Sequence, residues 1–172
     1  MDAVGSRVGA VAVRRTWVDE QRQRVNELID HYRGALHDSL DGLTEEEARR
    51  RLVPSKTTLL GLVKHACFVE GVWFDQAITG RSFADIGIAA SVDGSFTLRR
   101  ADTIETVRAE FRQRWATSRE NLDGRSADDV VEGRGARQVW ALQLQVLREL
   151  AHHAGHADIL REQIIASRTP AR

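Results

Sequence analysis

The chain of 172 residues carries 25 basic and 25 acidic side chains, so its formal net charge is zero and its pI is near 7.0. That balance excludes the broad basic field that grips phosphate backbones, and no segment approaches the roughly 18 apolar residues of a membrane span. With 42% hydrophobic and 29% charged residues the composition is that of one globular domain with a core. A lone cysteine, Cys67, excludes an internal disulfide and any zinc site built on two thiolates. No apolar run with a small-residue cleavage site opens the chain, so the expected compartment is the cytoplasm. All the basic residues are arginine except Lys56 and Lys64, a skew that points to GC-rich coding in a bacterium.

Residues 1–15 lack a clear period and read as a loose lead-in. Thr16 and Asp19 resemble a capping pair that opens a helix to about residue 40, with Val25, Leu28, Ile29, Tyr32, Leu36 and Leu40 on its buried face. Thr44 followed by Glu47 predicts a capping box for a short helix over 45–51, ahead of Pro54. A second long helix is expected over 58–79, ending at Gly80. Residues 81–100 read as a long loop with short extended pieces. Asp102 and Glu105 form the next capping pair, opening a third helix to about residue 122. After a polar, glycine-bearing connection, a fourth helix is expected over 137–167. Four long helices, with one long connection between the second and third, predict an all-α four-helix bundle. Trp73, Trp115 and Trp140 are expected in its core, and Cys67 reads as a small buried residue rather than a nucleophile.

The chemistry concentrates in few residues. Three of the six histidines, His152, His153 and His156, fall within the fourth helix close behind Glu149. Residues four apart share a helix face, so Glu149 with His153, or His152 with His156, can each offer two ligands to one ion. A third ligand must come from another helix, and His65 in the second is the natural candidate. At about 100° per residue, Leu142, Val146, Leu150, Ala157, Leu160 and Ile164 form one apolar arc. His153 lies within that arc and Glu149 at its edge, Gln145 and His156 lie further round, and His152 faces solvent. A metal centre in a bundle faces the interior, which favours Glu149 and His153. The same histidines also read as packed, hydrogen-bonded core residues.

Thr58-Leu-Leu-Gly-Leu-Val-Lys-His65, followed by Glu70 and Trp73-Phe74, resembles the second helix of the DinB-like metal-binding bundle family. Glu149-Leu-Ala-His-His153-Ala-Gly-His-Ala-Asp-Ile-Leu-Arg-Glu162 resembles its fourth helix. The nearest branch is that of the actinobacterial mycothiol transferases, with a site similar to that of mycothiol-dependent maleylpyruvate isomerase. The resemblance implies a single DinB-like domain over 16–168. It also implies a divalent ion, zinc first and nickel second, held by His65, Glu149 and His153. Many relatives carry a histidine where this chain has Gln145, a change that bears on the surroundings of the ion or on the substrate pocket; Gln145, and His156 by its place round the helix, are candidates for orienting a ligand or facing substrate.

The implied function is a metal-dependent S-transferase that presents mycothiol as a metal-bound thiolate to an electrophile. The alternatives of the same fold are a metal-dependent hydrolase, a mycothiol-dependent isomerase, and a non-catalytic metal-binding stress-response protein. A sealed ion with His156 as a fourth ligand would favour the last of these. The expected partners are a small-molecule thiol and an electrophile, with no nucleic acid, no membrane, and room for a homodimer. A substrate pocket is expected between the second and fourth helices and the 81–100 loop, apolar within and rimmed by arginines.

Overall fold

The computed structural model of the chain describes residues 8–168. In chain order its helices begin with α1 (Val8–Asp38) and α2 (Glu45–Ala48). The second long helix is composite: α3 (Leu59–Glu70), a π-helical stretch (Gly71–Gln76) and α4 (Ala77–Thr79). Two single-turn helices come next, α5 (Phe83–Ile86) and α6 (Val92–Ser95), and then α7 (Ile104–Leu122). A small antiparallel hairpin of β1 (Val130–Val131) and β2 (Arg137–Gln138) leads into α8 (Val139–Ala166). α1 lies along α8, and α3 packs against both α7 and α8, giving the all-α bundle. No described helix is long and apolar enough to cross a membrane.

Local chemistry explains most boundaries. Thr44 and Glu47 form the expected reciprocal capping box of α2. Thr58 caps α3 by accepting from the Gly61 amide. Gly80, at φ +74°, closes α4 in the left-handed conformation that favours glycine. Other boundaries move. α1 begins at Val8 and runs through Thr16 without a break, while residues 1–7 of the expected lead-in lie outside the described residues. α7 is capped by Thr103 with Thr106 rather than by Asp102 with Glu105. The Asp102 carboxylate is already engaged, accepting from Lys64 Nζ at 2.6 Å and from the Arg99 amide at 2.5 Å.

The stretch over 81–100 holds the helical turns α5 and α6, each capped by a serine, Ser82 and Ser91, where extended pieces were expected. The hairpin takes Arg137 and Gln138, so the fourth helix starts at Val139. Trp140 departs from the core expectation: it is 44% exposed and donates to Gln138 Oε1 at 2.7 Å. It sits off the arc on which Val139, Leu142 and Val146 are buried.

The π-helical stretch is wound more loosely than an α-helix and shifts the angular position of every later side chain on the helix surface. Its first residue, Gly71, faces Ile88; a Cβ there would come within 2.7 Å of Ile88 Cγ2. The missing side chain lets the 81–100 segment settle onto the helix.

Beneath this, the Arg33 guanidinium (4% exposed) donates twice to the fully buried Glu70, from Nε at 2.8 Å and Nη2 at 2.7 Å. Ser118 of α7 adds a third hydrogen bond to Glu70 Oε2 at 2.7 Å. One carboxylate thus ties α1, α3 and α7 together. Removing one partner of a buried pair strands the other charge, typically at about 3–5 kcal/mol. Glu70→Gln is therefore expected to destabilise the protein by about 3 kcal/mol in urea denaturation, and the double replacement R33M/E70M to recover part of that loss.

Candidate metal centre and its pocket

His65 lies midway along α3 and His153 midway along α8, each on the buried face of its helix (4% and 8% exposed). Glu149, one turn before His153, sits at the edge of that face with its side chain 23% exposed. One ligand-capable atom from each of these residues lies within 4.8 Å of the other two. His152 and His156 stay outside this group; both are exposed, with ring centroids 4.4 Å apart. The structure thus joins the pair on the apolar arc to the histidine of the second helix.

Packing and hydrogen bonds orient the imidazoles. The His65 ring stacks on Phe96 at 4.0 Å between centroids and meets His153 edge-on at 4.7 Å. His65 Nδ1 lies 2.7 Å from Ser95 Oγ, and that hydroxyl donates its own hydrogen to the Val92 carbonyl at 2.5 Å. Ser95 Oγ can then only accept, so His65 carries its proton on Nδ1 and keeps a bare lone pair on Nε2. Burial pushes the His65 pKa down to about 4, with charge on His153 adding to the effect. Burial lowers His153 as well, against the pull of the Glu149 carboxylate. Both rings are therefore neutral near pH 7, the state in which imidazole binds metals.

His153 presents a deficit that the fold does not fill. Both of its ring nitrogens are buried without a hydrogen-bond partner among the described residues. Glu149 Oε2 comes only to 3.5 Å from His153 Nε2, too long for a well-formed hydrogen bond. Meanwhile Glu149 Oε1 accepts from Gln145 Nε2 at 3.0 Å and from Arg148 Nη2 at 2.6 Å. Two neutral imidazoles and a carboxylate, with orphaned nitrogens between them, form a donor set that fits a divalent ion such as zinc.

A cavity of about 400 Å³, in the size range of ligand sites, opens beside the cluster and is lined by both His65 and Glu149. Phe68, Val72 and Trp73 of the second long helix and Phe83 of the 81–100 segment supply its apolar wall. Gln145 and Arg134 add polar edges. A second cavity of about 430 Å³, lined by Asn26, Asp30, Arg33 and Arg119, lacks this chemistry. Its arginines are already paired with Asp30 and Glu70.

A family model described as Mycothiol-S-transferase matches residues 12–166, nearly the whole chain. The chain belongs to the mycothiol-S-transferase family. No curated protein matches it. The three-residue cluster and the cavity both fall within the matched span of this mycothiol-S-transferase family member.

Cys67, two residues beyond His65, takes no part in the cluster: burial raises its thiol pKa to about 11. Sequence reasoning missed two residues of the site. Ser95 reaches His65 from 30 positions away, with no motif to mark it. Arg134 arrives on the hairpin, and its one sequence signal was the glycine on either side of it. The depressed histidine pKa values set a pH dependence. Below pH 6.5 the unfolded chain takes up protons that folded His65 refuses until about pH 4, so stability present above 6.5 is lost across that window. In chelator-treated protein, denaturation series at pH 7, 6 and 5 are expected to record a loss on the order of 2 kcal/mol. His65→Gln is expected to flatten the slope.

Proposed function

We propose that the protein is a metal-dependent S-transferase that joins mycothiol to an electrophilic small molecule, with His65, Glu149 and His153 holding the ion. The observation that carries the reading is the convergence of two neutral, buried imidazoles and one carboxylate beside an apolar cavity, in a member of the mycothiol-S-transferase family. Zinc is the first choice of metal and nickel the second. When bound, such an ion favours the thiolate form of a thiol at neutral pH.

The chain's own residues have distinct tasks in this reading. His65 offers Nε2 because Ser95 holds the Nδ1 proton. Glu149 offers Oε2 because Gln145 and Arg148 hold Oε1, and its charge would offset part of a bound cation's. Phe68, Val72 and Phe83 keep water from a sulfur nucleophile that hydration would blunt. Transfer would form one S–C bond after the thiol's proton is released to solvent, as the electrophile's leaving group departs with its bonding electron pair. His156, exposed and outside the cluster, does not close off the site as a fourth ligand, which supports catalysis over a purely structural ion.

Metal analysis of the purified protein, combined with a thiol-consumption assay comparing mycothiol with simpler thiols, tests the reading. His153→Ala is expected to lose metal and thiol transfer together while the bundle stays folded by circular dichroism. Full transfer activity in that variant would overturn the mechanism. Ser95→Ala, which frees the His65 tautomer, is expected to weaken metal affinity by about tenfold, read by competition with a chromophoric chelator.

A further inference from the structure

The cavity beside the cluster is apolar on one side and cationic at its mouth. Arg134 lines it, and Arg137 stands close by on the same hairpin. The two guanidinium carbons lie 5.7 and 5.5 Å from the centroid of the Trp73 ring, so both cations share one aromatic residue in the cavity wall. Two like charges so placed repel each other, and the ring's quadrupole offsets that repulsion only in part. Some arginines of the bundle body are paired with acids, as Arg33 is with Glu70 and Arg114 with Asp75, and others, such as Arg161, donate to a main-chain carbonyl. Arg134 and Arg137 form no ion pair with a carboxylate among the described residues, and the one side-chain acceptor that Arg134 has is neutral Gln76, at 3.0 Å.

This placement is built into the backbone. Gly133 donates its amide to the Ala77 carbonyl at 3.0 Å, seating the hairpin on the end of the second long helix. A Cβ at Gly133 would stand 2.1 Å from the Gln76 carbonyl oxygen and 2.6 Å from the Gly80 nitrogen. Both are main-chain atoms with no freedom to withdraw. Glycine is therefore what allows the neighbouring arginine to come this close to the pocket.

We infer that the electrophile taken by this site is an anion, an apolar or aromatic body bearing a carboxylate that Arg134 and Arg137 bind at the mouth of the cavity. The inference rests on the transferase reading for the word electrophile but not for the anion site itself. The charge of a sugar-bearing thiol develops at its sulfur, which the reading directs to the cluster of His65, Glu149 and His153, and that leaves the arginine pair for the second substrate. The apolar wall of Phe68, Val72 and Phe83 receives the body of that molecule. Guanidinium suits the head group, because its planar fork matches a carboxylate with two parallel hydrogen bonds.

The test is a binding measurement with unreactive probes, 4-methylbenzoate and its neutral isostere 4-methylbenzamide, titrated calorimetrically into the purified protein. The carboxylate is expected to bind at least about tenfold more tightly than the amide, the scale of a charge-assisted pair. R134Q/R137Q, which alters two exposed side chains, is expected to bring that ratio close to one. A wild-type protein without the preference would overturn the inference. So would a preference that survives in R134Q/R137Q and disappears with chelator, since the carboxylate would then be bound at the metal cluster. Because no turnover is measured, absence of thiol transfer would count against the transferase reading alone. Gly133→Ala gives a second check: it is expected to weaken 4-methylbenzoate binding although both arginines remain.

Discussion

A carboxylate with no access to water, Glu70, holds the architecture together. Its two oxygens take three hydrogen bonds, from Arg33 on α1 and Ser118 on α7, so three of the four long helices meet at one charge. Such a pair contributes little net stability relative to an apolar replacement, but it penalises every arrangement in which a partner is missing. Glu70 is also the last residue before the helix changes pitch. Fixing the three helices there sets the point from which the π-helical stretch turns Val72 and Trp73 into the cavity wall. The pocket owes its form to a polar contact on which it does not draw chemically.

Across the bundle, on α8, the principle is reversed. Both oxygens of Glu70 are satisfied, whereas both ring nitrogens of His153 are left open. The contrast lies within one core, with similar burial, and it separates a polar group that the fold satisfies from one that it leaves without a partner among the described residues. The 81–100 segment bridges the two regimes. It packs onto Gly71 through Ile88 and reaches His65 through Ser95 and Phe96. The connection that is longest in sequence is therefore the one that orients the imidazole.

Legibility in the sequence tracks the range of the forces involved. The four long helices, the α2 capping box and the stop at Gly80 depend on neighbours within a few residues, and periodicity exposes them. Helical arithmetic also separates Glu149 and His153 from His152, because all three ride one helix and differ only in angle. What stayed hidden depends on contacts between distant segments. Gly71, at the head of the π-helical stretch, packs against Ile88 across a gap in sequence, and Asp102 gives up its capping role to Lys64. Trp140 reads as core by residue type, but its angle on α8 faces it outward. Arg134 is marked in the sequence only by its flanking glycines, since its position is set by which backbone Gly133 can approach.

A site that brought a thiol and an electrophile together, as proposed above, would put the protein's own thiol at risk of alkylation. Its one sulfhydryl, on Cys67, lies two residues from His65, yet burial holds it protonated with a pKa near 11. At pH 7 the sulfur is therefore held as the thiol rather than as the reactive anion. The residue thus fills its place in the packing while its sulfur stays in the form less prone to attack an electrophile.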